Sequence, residues 1–219
     1  MYSGEEFRED ELARRSFSSL VRVGIPLFGV AYYLYLRPHM RKAGTRYDES
    51  TRPLPGDDLI ASPNFEMTRA VNIDAAPDAV WPWIAQIGRN GTGFYGLDSL
   101  TNQGVPSAAY LRTDLPAPQK DDVLDGGYRT LALEPGHYLL YGGFDLPTPT
   151  GGTTERTTLL LLERRENDKT RLLVRTRGYT YGIFGPVYNL FYELADYWHG
   201  MAQLRNIRQR AEMLAQLSR

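Results

Sequence analysis

The feature that most constrains this chain is an apolar repeat near its C-terminal end. After Gly185-Pro186, apolar residues fall at Val187, Leu190, Leu194, Trp198, Met201, Leu204, Ile207, Ala211 and Leu214. Steps of three and four over about 30 residues define an amphipathic helix, roughly 40–45 Å long at 1.5 Å per residue. It runs from residue 187 to about 217. Gly200 inside it marks a bend or a close approach rather than an end.

Upstream the period changes. Residues 65–74 (FEMTRAVNID) place Met67, Val71 and Ile73 on one parity, the pattern of a half-buried strand. Asp74, Pro77 and Asp78 start a helix that buries Val80, Trp83, Ile84 and Ile87 and ends at Gly88; Pro82 falls early enough to be tolerated. A Gly-rich loop then leads to a short helix around residues 95–101. It is no phosphate cradle, because it follows a helix and lacks the Gly-Lys-Ser/Thr ending. Residues 103–125 read as loop. Strand signals recur at 128–134, 137–144, 154–164 and 170–177, and their short links imply an antiparallel meander. Residues 157–162 are nearly continuous apolar, so that strand should be covered on both faces. Strand, two helices, strands and one final helix make an α+β fold.

Composition excludes several functions. With 25 basic and 26 acidic residues the net charge is −1, so no overall field draws nucleic acid. The absence of cysteine removes thiol nucleophiles, disulfides and Cys-ligated metals. Three histidines, His39, His137 and His199, have no i, i+4 spacing, and neither metal nor cofactor is expected. Fifteen tyrosines suit a lined cavity or a membrane interface.

Residues 1–16 read as a polar lead. Residues 17–36 (FSSLVRVGIPLFGVAYYLYL) carry one charge, Arg22, and end in Tyr32, Tyr33 and Tyr35, like part of an aromatic belt. Their uncharged part, 23–36, is short for a span of about 20 residues, whereas counting from Phe17 reaches that length. A transmembrane anchor and an interfacial helix both stay open; a cleaved signal peptide is disfavoured because no small-residue cleavage site follows. The expected location is a membrane, its side undecided because basic residues flank both ends, with the cytoplasmic face slightly favoured. Residues 37–63, basic and then rich in proline, read as an extended connector to the domain at 64–219, whose earliest limit is near Leu54.

The strings LPGDDLI (54–60), AVWPWIAQIG (79–88), GFYGLDSLTN (93–102), TRLLVRTR (170–177) and RQRAEML (208–214), in this order of elements, resemble the START-like (SRPBCC) superfamily. Its helix-grip fold includes Bet v 1 relatives and polyketide cyclase/dehydratase-like proteins. RPHMRKAGT (37–45) also resembles the stretch that follows an apolar N-terminal segment in some bacterial members, so the resemblance covers about residues 37–219. It implies a curved antiparallel sheet around the last helix, with a deep, largely apolar cavity for lipid-like or polyketide-like molecules. Where related sequences have a Tyr-Ser-Tyr-Asp-Trp-like run, this chain has Tyr95-Gly96-Leu97-Asp98-Ser99, which could widen or reshape a cavity wall.

Arg175 and Arg177 are the candidate anion holders. They share parity with Leu173, opposite Leu172 and Val174, and either enter the cavity or line the outer surface. Tyr95, Tyr128, Tyr141 and Tyr179 are candidate hydroxyl donors and Asp98 a candidate polar contact; packing and capping are the alternatives for each. No catalytic set is recognisable. The resulting expectation is a membrane-tethered binding or carrier domain for an apolar small molecule; the alternative is a cyclase/dehydratase-type enzyme using the same cavity.

Overall fold

A computed structural model describes residues 29–217. The chain divides into two compact units at Met40 and Arg41. In the first, a helical turn at 29–31 continues as a π-helix, Tyr32–Leu36, and then as α1 (Arg37–Arg41), whose last residue, Arg41, belongs to the second unit. The polar lead and residues 17–28 of the expected span lie outside the described residues. Among the described residues, no helix is long and apolar enough to cross a membrane.

The second unit holds one five-stranded antiparallel sheet in the order β1-β5-β4-β3-β2. Its strands are β1 (Phe65–Ile73), β2 (Arg129–Glu134), β3 (Tyr138–Pro147), β4 (Thr153–Arg165) and β5 (Lys169–Thr180). Between β1 and β2 lie α2 (Pro77–Ala85) and the one-turn α3 (Asp98–Thr101); α4 (Gly185–Leu217) ends the chain. This is the expected α+β helix-grip architecture. Only β1 returns across the sequence, pairing with the last strand through Phe65↔Gly178 and Ile73↔Thr170.

Parity assigns the faces. Ile73, Leu139, Leu160, Leu162, Leu172 and Val174 point one way and bury against Val80, Trp83, Ile84 and Ile87 of α2 and its following turn, and against Leu204, Ile207 and Ala211 of α4. Leu140, Leu159, Leu161 and Leu173 point the other way. Hence β4 is covered on both faces, as its apolar run predicts.

What covers the second face is the supposed connector, which is a packed strap rather than an extended linker. Leu54 joins the outer apolar cluster, and Ile60 is buried. Gly44 crosses β1 so closely that any Cβ there would overlap the carbonyl oxygen of Ala70. Buried ion pairs, described below, pin the strap to β5. Pro53, Pro55 and Pro63 shape a bent strap because its backbone is held by side chains rather than by a ladder.

Helix α4 is longer than its apolar stripe. Leu204, Ile207 and Ala211 are buried as expected, but Val187 and Trp198 are exposed. Before Leu204 the buried side is instead made of the polar Asn189, Glu193 and Gln203 with Gly185 and Gly200. Each polar group there is satisfied: Thr180 Oγ1 donates to Asn189, Arg41 donates to Glu193, and Gln203 donates to the Phe94 carbonyl. Gly200 is a close approach, since a Cβ would stand 2.6 Å from Nη1 of Arg69.

Candidate functional site

Where the buried side of α4 turns polar, the sheet's concave face and the helix do not meet, and a cavity of about 400 Å³ remains. Arg69 of β1, Arg156 and Thr158 of β4, Val174 and Thr176 of β5 and Tyr141 of β3 line one side. Tyr192, Asp196, His199 and Gln203 of α4 line the other, with Phe94, Leu100 and Tyr128 at the ends. Leu100 is exposed and marks the mouth. The expected apolar cavity is therefore aromatic and polar together, because two strands each place an arginine on an otherwise apolar parity.

Those arginines have different surroundings. Arg69 is buried, and its Nη1 donates to Asp196 at 2.5 Å. The Arg156 guanidinium lies over the Tyr192 ring at 4.1 Å and near the Tyr128 ring at 5.7 Å. Its Nε is shut off from solvent without a hydrogen-bond partner, and no carboxylate among the described residues pairs with it. Burial raises the pKa of Tyr128, Tyr141 and Tyr192, so these phenols stay neutral around neutral pH.

His199 is held by backbone. The Leu97 N–H donates to its Nδ1 at 3.1 Å, which leaves the proton of the neutral ring on Nε2. Burial lowers its pKa, with Arg69 and Arg156 adding to that and Asp196 and Asp98 opposing it. Gly96 makes the contact feasible: any Cβ there would overlap the imidazole. Glycine at position 96 thus admits a histidine to the cavity wall.

Among the sequence candidates, Tyr128 and Tyr141 line this cavity, with ring centroids 5.7 Å apart. The other candidates lie elsewhere. Arg175 and Arg177 lie on the outer face, under the strap. Arg175 donates to Asp57, Thr68 and the carbonyls of Glu49 and Arg52, and Arg177 to Glu66 and the Ile60 carbonyl. They fail to enter the cavity because their parity is that of Leu173. Tyr179 shares that parity and packs on Tyr181. Tyr95 is fully buried beneath the cavity, where Gln86 Nε2 meets its hydroxyl at 2.5 Å. Asp98 accepts from the Ser107 N–H and hydroxyl, tethering the loop. Arg69, Arg156, His199, Tyr192 and Asp196 are the lining groups the sequence reading passed over. A signal existed for Arg69, which shares parity with Met67, Val71 and Ile73, and for Arg156, which shares it with Leu160 and Leu162.

No protein-family model matches the chain, and no curated protein is similar to it. Several solved structures are. A protein from Nitrosospira multiformis is 16% identical with a TM-score of 0.43, over 71% of this chain and 100% of its own. The ZhuI aromatase/cyclase from Streptomyces sp. R1128 is 12% identical with a TM-score of 0.44, over 68% and 93%. The di-domain aromatase/cyclase StfQ of the steffimycin biosynthetic pathway is 12% identical with a TM-score of 0.43, over 69% and 51%. With these scores below 0.5, the fold assignment rests on the chain's own topology.

Proposed function

We propose that the domain binds a small molecule with a largely aromatic or apolar body between the sheet and α4, and that residues before Arg37 hold it at a membrane. The observation that carries the binding reading is the cavity itself. At about 400 Å³, with Phe94, Tyr128, Tyr141 and Tyr192 around it, it has the size and aromatic lining of a small-molecule site. The membrane part is supported by the composition of residues 17–36, and Val30, Tyr33, Leu34, Tyr35 and Leu36 are exposed.

Native mass spectrometry of the full chain, purified in mild detergent, should find a co-purifying small molecule. Ala195→Phe, which fills the cavity from α4, should lose it. A chain that carries nothing and whose melting temperature no small aromatic compound raises would sink the binding reading. Flotation with phosphatidylcholine vesicles tests the membrane part: the full chain should float and one starting at Arg37 should not.

A second reading, cyclase or dehydratase chemistry, is favoured by one observation. Arg156 and the Nε2–H of His199 line the same cavity, and both can donate to an oxygen that gains charge as a water molecule takes a proton from the neighbouring carbon. Deuterium exchange at the central carbon of 1-phenylbutane-1,3-dione, followed by NMR, should then be faster with the protein than without it. Equal rates would count against any such activity.

A further inference from the structure

The cavity has an unbalanced charge. Four of its lining residues can carry one: Arg69 on β1, Arg156 on β4, and Asp196 and His199 on α4. Arg69 and Asp196 cancel each other at 2.5 Å. The tyrosines from β3, α4 and the loop before β2 are neutral phenols, and His199 is a neutral imidazole. Arg156 is left as a permanent cation, because a guanidinium does not lose its proton in proteins.

A guanidinium taken from water without a counter-charge is unfavourable unless something replaces its hydration. The Tyr192 and Tyr128 rings do so only in part, since contact with a ring brings no counter-charge. The Arg156 Nε has no hydrogen-bond partner among the described residues. The planar guanidinium presents its donors as a fork of the kind that matches a carboxylate.

We infer that the natural ligand of this cavity is a flat organic anion whose acidic oxygens are taken by Arg156, with its apolar body lying against the tyrosines and Phe94. The assignment rests on the binding reading above and adds the ligand's charge and the residue that selects it. Arg69 does not compete for the anion, because Asp196 already holds it.

Naphthalene-2-carboxylate and naphthalene-2-carboxamide share a shape and differ in charge, so titration calorimetry of the full chain with both separates the cases. At about pH 7.5, well above the pKa of an aromatic acid, the carboxylate should bind about tenfold or more tighter than the amide. Arg156→Met should abolish that preference, lowering carboxylate affinity by about tenfold or more, as loss of one charge-assisted contact predicts. Arg156→Gln provides a second, polar replacement should the methionine variant misfold. Equal binding of both probes by the unmodified chain would overturn the assignment while leaving the cavity a binding site, and Arg156 would then be a cation–π strut only. A preference that survives both substitutions would overturn it too. Binding of neither probe would remove the binding reading, and the assignment with it.

Discussion

Glu49 and Arg171 face each other across the strap–sheet interface, Nε and Nη2 of the arginine donating to the carboxylate at 2.9 and 2.6 Å. Both are buried, and the Gly44 carbonyl and Asn72 accept two further N–H groups of the fork. Arg171→Met therefore leaves a buried carboxylate with only the Arg46 N–H and a distant Arg165, and should lower stability by about 3 kcal/mol. The double variant Glu49→Met, Arg171→Met should recover most of that in urea denaturation.

The same pair has an acid limit. Burial alone would raise the Glu49 pKa, but the Arg171 bonds and the Arg46 N–H outweigh it and hold it below 4.5. With the folded value below the unfolded one, the contribution is complete above about pH 4.5 and lost as pH falls through the depressed value. Glu49→Gln should flatten the stability profile in that acid window alone.

Arg175 tests the assignment of faces. Arg175→Leu removes four hydrogen bonds that tie Asp57, Thr68 and two strap carbonyls to β5. Amide exchange should rise across residues 44–60, and stability should fall by about 1–3 kcal/mol for the carbonyls left without a donor, since Arg177 and the Leu54 N–H still hold Asp57. Affinity for naphthalene-2-carboxylate should not change, since the side chain is on the far side of the sheet.

Gly96 and His199 should couple strongly. The φ of Gly96 is not positive, so Gly96→Ala is strained by its collision with the imidazole and not by its backbone. It should cost about 1–3 kcal/mol. In the His199→Ala background most of that cost should vanish, a coupling that a double-mutant cycle measures directly.

His199 also sets a pH window. Its folded pKa lies below the ordinary 6.5, so the unfolded chain binds the extra proton first. Stability should be full above about pH 6.5, then fall towards the depressed folded value and level off below it. His199→Gln should remove that slope, read as melting temperature against pH.

The two halves of α4 should respond unequally to truncation. Ile207→Ala opens the core beside Leu160 and Leu172 and should cost about 2–5 kcal/mol. Phe191→Ser removes a larger side chain, but one that is 66% exposed, and should shift unfolding by about 0.5 kcal/mol or less. Comparable losses at both positions would contradict the facing of the helix.

Local pattern alone determined the elements of this protein. Period two across residues 65–74 and 154–177, period 3.6 after Gly185, and the Gly and Pro stops between them specified strands, helices and the antiparallel meander. Those signals are legible because backbone geometry imposes them on consecutive residues. The sides taken by polar groups were not legible. Arg175 and Arg177 could be assigned to one parity, but which parity faces α4 depends on a strap more than 110 residues away in sequence. The polar inner side of α4's first half contradicts its apolar repeat, and is stable only because Arg69, Arg41, Thr180 and Phe94 supply partners from other elements. The cavity exists for the same reason. It opens where partners distant in sequence satisfy polar groups that no apolar packing could accept, and only the tertiary structure brings those partners together.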